Sequence, residues 1–180
     1  AYFIGRSPGA RTHAYGLIAS ALRNFIAKNS NKPPDIGHLT PHLNHILPEL
    51  GPTPERRNAD ALITTIISAI TSMANQQPAA LILEDLQNAD NSSLELLFSL
   101  SERIQTIPLI VFGLYRPEEI GEQHRLRWVR SELRRRDLLE EISLHTLSKQ
   151  ETGQLLGQYL QSEPNEELIN SVYEKSGGIP

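Results

Sequence analysis

The stretch Pro78-Ala-Ala-Leu-Ile-Leu-Glu-Asp-Leu-Gln-Asn-Ala-Asp90 decides how this chain is read. Residues 79–83 form a short uncharged apolar run set between a proline and two acids, the pattern of a buried strand. The run ends abruptly in adjacent carboxylates, Glu84 and Asp85. Unpaired charge beside a core is costly, so a strand with only a structural duty gains nothing from that ending. At the carboxyl edge of a parallel sheet, ligand sites are the rule, and paired acids there can hold Mg2+ and orient water. The alternative is a strand that simply runs out into solvent.

Outward from this stretch, Pro108-Leu-Ile-Val-Phe-Gly-Leu-Tyr115 reads as a second buried strand and residues 2–4 as a short third one upstream. Residues 139–144 carry the pattern of a fourth. Between them lie helical periodicities. Tyr15, Ile18, Leu22, Phe25 and Ile26 share one face over 12–28, and Leu62, Ile63, Ile66, Ile67 and Ile70 share one over 55–73. Ser92-Ser-Leu-Glu95 and Ser148-Lys-Gln-Glu151 are capping-box spacings, in which a serine hydroxyl and a glutamate carboxylate satisfy orphaned amides. A basic helix is expected over 123–136. A last one, over 165–175, is stopped by Gly177 and Gly178. Residues 29–54 are rich in Pro, Asn and His, with one or two helical turns around 42–47. Strands alternating with helices predict an α/β protein with a doubly wound parallel sheet and helices on both faces.

A chain of 180 residues fits one domain with a real core. A net charge of −4 gives no global drive toward nucleic acid or anionic lipid. The absence of cysteine excludes disulfides and thiolate metal sites and accords with a cytoplasmic location. No apolar run reaches the roughly 18 residues of a membrane-spanning helix. The chain opens inside an apolar segment without Met, which reads as a fragment of a larger protein.

Taken in order, these landmarks resemble the nucleotide-binding domain of the STAND class of AAA-like P-loop ATPases, as found in large bacterial signalling proteins. Leu81-Ile-Leu-Glu-Asp-Leu-Gln-Asn-Ala-Asp90 is similar to the family's Walker B strand and turn. Leu109-Ile-Val-Phe-Gly-Leu-Tyr-Arg-Pro-Glu-Glu119 is similar to its sensor strand. Leu144-His-Thr-Leu-Ser-Lys-Gln-Glu151 and Ser176-Gly-Gly-Ile-Pro180 look like the entry to its helical lid and its Gly-x-Pro motif. The resemblance implies a three-layer P-loop NTPase-type sheet over 1–146 and the start of a helical lid over 147–180. It implies ATP and Mg2+ as cofactors. Glu84 stands where an acid supports Mg2+, Asp85 where one polarises the attacking water, and Arg116 where a cation faces the γ-phosphate. Pro180 stands where the lid packs near adenine. Bland alternatives remain: Arg116 as a surface ion pair, Pro180 as a helix breaker, Asp90 as a helix cap rather than a site organiser. Glu84 also departs from the family's more typical Asp by one methylene.

A phosphate loop of the form G-x-x-x-x-G-K-[ST] is missing. Gly5-Arg-Ser-Pro-Gly-Ala-Arg-Thr12 has the length, but Ala10 and Arg11 replace Gly and Lys. The reading adopted is that residues 2–4 are the family's second strand and that the first, Walker A strand is absent from the chain. His38, His42 and His45 could converge on a metal, but Pro41 interrupts them. Arg125, Arg127, Arg130 and Arg134 to Arg136 could meet phosphate backbones, but Glu132, Asp137, Glu140 and Glu141 dilute their charge, so a solvated face is expected. The function expected is part of an ATP-driven regulatory switch, inactive in isolation, with ATP or ADP, other domains of the parent chain and protein partners as its contacts, and neither membrane nor nucleic acid. The alternative is a scaffold that keeps the fold without the chemistry.

Overall fold

A computed structural model describes residues 1–7, 13–28, 39–51 and 59–180. The chain divides into two compact units, residues 1–139 and 140–180. The boundary falls a few residues before the 146/147 division expected from the sequence.

The first unit is α/β. Strands β1 (Tyr2–Arg6), β2 (Ala79–Glu84) and β3 (Leu109–Gly113) form a parallel sheet in the order β1-β2-β3. The register pairs Phe3 with Leu81, Leu81 with Val111, and Arg6 with Glu84. Helices α1 (Gly16–Lys28), α2 (Thr40–Leu43) and α3 (Ala59–Gln76) lie between β1 and β2, α4 (Asn91–Ile104) between β2 and β3, and α5 (Arg125–Arg135) after β3.

One sheet face carries the core. Phe3, Leu81 and Leu83 are buried, and Phe3 stacks on Phe25 of α1 with ring centroids 4.1 Å apart. Gly5 is glycine because α1 presses on it: a Cβ there would stand 2.6 Å from the Leu17 carbonyl oxygen. Ile66, Ile70 and Met73 of α3 and Leu94, Leu97 and Leu100 of α4 complete the same cluster. The alternate residues tell a different story. Tyr2, Ile110, Phe112 and Leu114 are exposed, and Ile4, Ala80 and Ile82 are half-buried.

Among the described residues, the apolar contacts of the helices gather on that one face. The strand order advances in one direction, so right-handed crossovers place α1, α3 and α4 on the same side. A parallel sheet is normally covered twice; among the described residues, the second face of this one carries the exposed and half-buried side chains.

Other expectations need revision. Residues 139–144 are not a strand; Ile142 and Leu144 are 77% and 90% exposed, and no ladder pairs them. Alternating apolar residues do not make a strand without a neighbour to bond. Helix α1 starts at Gly16 rather than at residue 12, because Tyr15 adopts a left-handed conformation (φ 63°). The Ser92–Glu95 capping box does not form. Asp90 caps α4 instead, accepting from the Ser93 amide.

The second unit pairs α6 (Lys149–Leu160) with α7 (Glu166–Ser176). Its capping box is as expected: the Ser148 hydroxyl accepts from the Glu151 amide at 3.2 Å, and the Glu151 carboxylate accepts from the Ser148 amide at 2.7 Å. Gly177 ends α7 at φ 61°, and the Gly178 carbonyl accepts from the Leu147 amide at 2.8 Å. That closure leaves no room at Gly178, where a Cβ would stand 2.2 Å from the Leu147 oxygen.

Candidate functional site

Parallel strands bring their carboxyl ends to one edge, and there the first unit gathers its charge. Arg6 ends β1, Glu84 ends β2, Asp85 follows it, and Leu114 to Arg116 leave β3. These six residues line an open cleft of about 210 Å³. Its backbone is fixed from both sides: the Leu114 amide donates to the Leu83 carbonyl at 2.8 Å, and the Leu86 amide to the Leu114 carbonyl at 3.0 Å.

Glu84 and Asp85 are brought together as the sequence suggested, but Glu84 is already engaged. The Arg6 Nε and Nη2 approach its Oε2 at 2.8 and 2.7 Å, and Nε lies 3.9 Å from the Asp85 carboxylate. Asp85 stands in the left-handed region (φ 56°, ψ 46°), which only a few non-glycine residues occupy. Arg116 lies at the cleft, with its Nη1 on Glu119 at 2.8 Å. That hydrogen bond raises the guanidinium's pKa and lowers the Glu119 carboxyl's. The ion-pair alternative for Arg116 thus matches its resting state, while Asp85 still contributes attraction.

Two residues of the site escaped sequence reading. Arg6 falls within the loop-like stretch 5–12 of the sequence; its signal is a strand-final Arg in register with a strand-final Glu. Gln87 is buried and ties the site together. Its Oε1 accepts from the Arg116 amide at 3.3 Å, and its Nε2 lies 3.4 Å from Asp85 Oδ1. Its carbonyl meets His124 Nε2 at 2.9 Å. Because His124 Nδ1 accepts from the Leu126 amide at 3.1 Å, the ring proton belongs on Nε2, which donates to Gln87.

Asp90 is a cap rather than part of the cleft. Its carboxylate accepts from the Tyr15 and Gly16 amides at 2.9 and 3.1 Å and from the Ser93 amide and hydroxyl at 2.8 and 2.7 Å. Pro180 lies in the second unit, where it lines an apolar pocket of about 270 Å³ with Leu155, Tyr159 and Val172.

The donor set suits Mg2+ in part. Two adjacent carboxylates are hard oxygen ligands, and Mg2+ takes one or two such groups with water and phosphate for the rest. No group of three His, Cys, Asp or Glu among the described residues could hold a metal. Of the histidine cluster, His38 lies outside the described residues, His42 is exposed and His45 half-buried. The glycine-rich loop is described only through Ser7, so residues 8–12 of that candidate also lie outside. No helix among the described residues is long and apolar enough to cross a membrane. No protein-family model, no curated protein and no solved structure matches the chain.

Proposed function

We propose that the first unit is part of a nucleotide-dependent switch of the P-loop NTPase type, with the cleft at the ends of β1, β2 and β3 as the acid half of its site. The observation that carries this reading is the pair Glu84–Asp85 at the carboxyl edge of a parallel sheet, with Arg6 and Arg116 within the same cleft. In this reading Glu84 would hold Mg2+, and the ion would supply charge neutralisation for bound phosphate. Asp85 accepts a hydrogen bond from the attacking water and orients it. Arg116 turns from Glu119 to the transferring phosphoryl group. Gln87 keeps the two ends of the site in register through Asp85 and the Arg116 amide.

β3 is an edge strand of the described sheet, which supports a reading in which a further strand pairs with it, as the P-loop type requires. Pro180 and its apolar surroundings are read as a lid surface. The phosphate-gripping half of the site lies outside the described residues. The isolated chain is accordingly expected to bind ATP weakly and not to hydrolyse it; micromolar affinity for ATP would overturn that expectation. In the full-length parent, Asp85→Asn should abolish turnover and leave ATP binding intact. Unchanged turnover would remove Asp85 from its role.

A second reading, a scaffold without chemistry, is favoured by one observation: Arg6 and Arg116 are both satisfied by neighbouring acids. A full-length protein that binds no ATP would establish it.

A further inference from the structure

We propose that Arg6 is a built-in counter-ion that holds the place of the divalent cation at Glu84, and that it is exchanged for the cation when the site loads. This inference rests on the reading of Glu84 as the metal-side acid, and it adds a regulatory step to that site.

The placement of Arg6 is set by the sheet. Arg6 and Glu84 are register partners on adjacent parallel strands, so backbone pairing brings the guanidinium to the carboxylate. Two of its nitrogens converge on one oxygen, Oε2, and one of them faces Asp85. The guanidinium therefore lies between the two acids, where a positive charge relieves their mutual repulsion. The backbone beyond it is pinned, since the Ser7 hydroxyl donates to the Asn88 carbonyl at 2.7 Å. Exchange consequently needs a side-chain rotation and no strand movement.

The accessibilities of the partners favour such a rotation. The Arg6 side chain is 71% exposed, whereas that of Glu84 is only 30% exposed. The acid stays and the base can swing. An ion pair with one partner this exposed is weak. Once released, a guanidinium fork fits phosphate as well as it fits carboxylate, so Arg6 gains an anionic partner in the ligand that accompanies the cation. Arg116 cannot serve as the counter-ion in this resting arrangement, because its guanidinium is turned to Glu119.

The test is a titration of the 180-residue chain with Mn2+ alone, followed by the electron paramagnetic resonance signal of free Mn2+. Arg6→Gln should raise affinity about fivefold, the ratio such an exposed pair is worth. Arg6→Lys, which keeps the charge but loses the fork, should fall between Arg6→Gln and the unaltered chain. Arg116→Gln removes the same charge from the cleft and should change affinity by less than about twofold. Adding Glu84→Gln to Arg6→Gln should cancel the gain. Equal effects of Arg6→Gln and Arg116→Gln, a gain that survives Glu84→Gln, or no Mn2+ binding by Arg6→Gln at millimolar concentration would each overturn the proposal.

The unaltered chain supplies an independent measurement should a variant unfold. Its Arg6 Nε–H resonance should shift on Mn2+-free titration with Mg2+, and a resonance that stays put also overturns exchange. These readouts need no turnover. Failure of ATP hydrolysis in the parent is therefore distinguishable from failure of the Arg6 exchange.

Discussion

Asp85 and Asp90 lie in one loop after β2, yet their surroundings are opposite. Asp90 accepts four hydrogen bonds and starts two helices at once, α4 through Ser93 and α1 through Tyr15 and Gly16. Asp85 has a left-handed backbone, a long contact of 3.4 Å from Gln87 and an arginine nitrogen 3.9 Å away. The first carboxylate is fully used by the fold. The second is left nearly free at some backbone cost, an arrangement that collects at functional sites. Two acids of one type, a few residues apart, thus divide into a structural group and an available one by what the tertiary structure brings to each.

Substitution separates them most sharply at Asp90. Asp90→Ala removes the caps of two helices and strands partly buried amides, and should cost about 3 kcal/mol in urea unfolding. A loss below about 1 kcal/mol would mean that the four bonds are not made in solution. Ser148→Ala, at the other well-satisfied cap, should cost about 1 kcal/mol. It should also alter the acid limb of stability. The Ser148 hydroxyl, and secondarily its amide, hold the Glu151 carboxyl below the ordinary glutamate range. A depressed folded value means that this contribution is present above the unfolded value of about 4.3 and fades as pH falls through the folded one. The alanine variant should flatten that fall, as read by unfolding midpoints across pH 2 to about 6.

Asp85→Gly should act with the opposite sign. Glycine accepts the left-handed conformation without penalty, so stability should rise by up to about 1 kcal/mol. A destabilised glycine variant would show that the Asp85 side chain serves the fold after all. The smallest effect is expected for Glu84→Gln, within about 0.5 kcal/mol, because its bond to Arg6 is an exposed pair. A larger loss would place Glu84 with Asp90 among the structural acids.

Several elements were legible in the sequence because their causes are local. The apolar run at 79–83 became β2. The Ser148 box and the Gly177 stop bracket the second unit as their spacing implied. The periodic faces of α1 and α3 supply the core through Leu22, Phe25, Ile66 and Ile70. Misreadings arose where the cause is distant. The start of α1 depends on an aspartate 74 residues away from Gly16. The Ser92 box lost to Asp90, a charged acceptor that also reaches Ser93 and α1. At 139–144 a strand-like pattern has no neighbour to pair with. The site was half legible: Glu84, Asp85 and Arg116 do meet at one cleft, while Arg6 and Gln87 went unseen.

By itself, then, the sequence determined β2 with the acids at its end, the apolar faces of α1 and α3 and the caps of the second unit, because periodicity, capping and burial of apolar runs act over a few residues. Tertiary structure alone decided which carboxylate is lightly held and which is spent. Strand register set Arg6 against Glu84, and the packing of α1 beside α4 brought its first amides onto Asp90. Those assignments follow from pairing between segments more than 70 residues apart, and no local pattern carries that information.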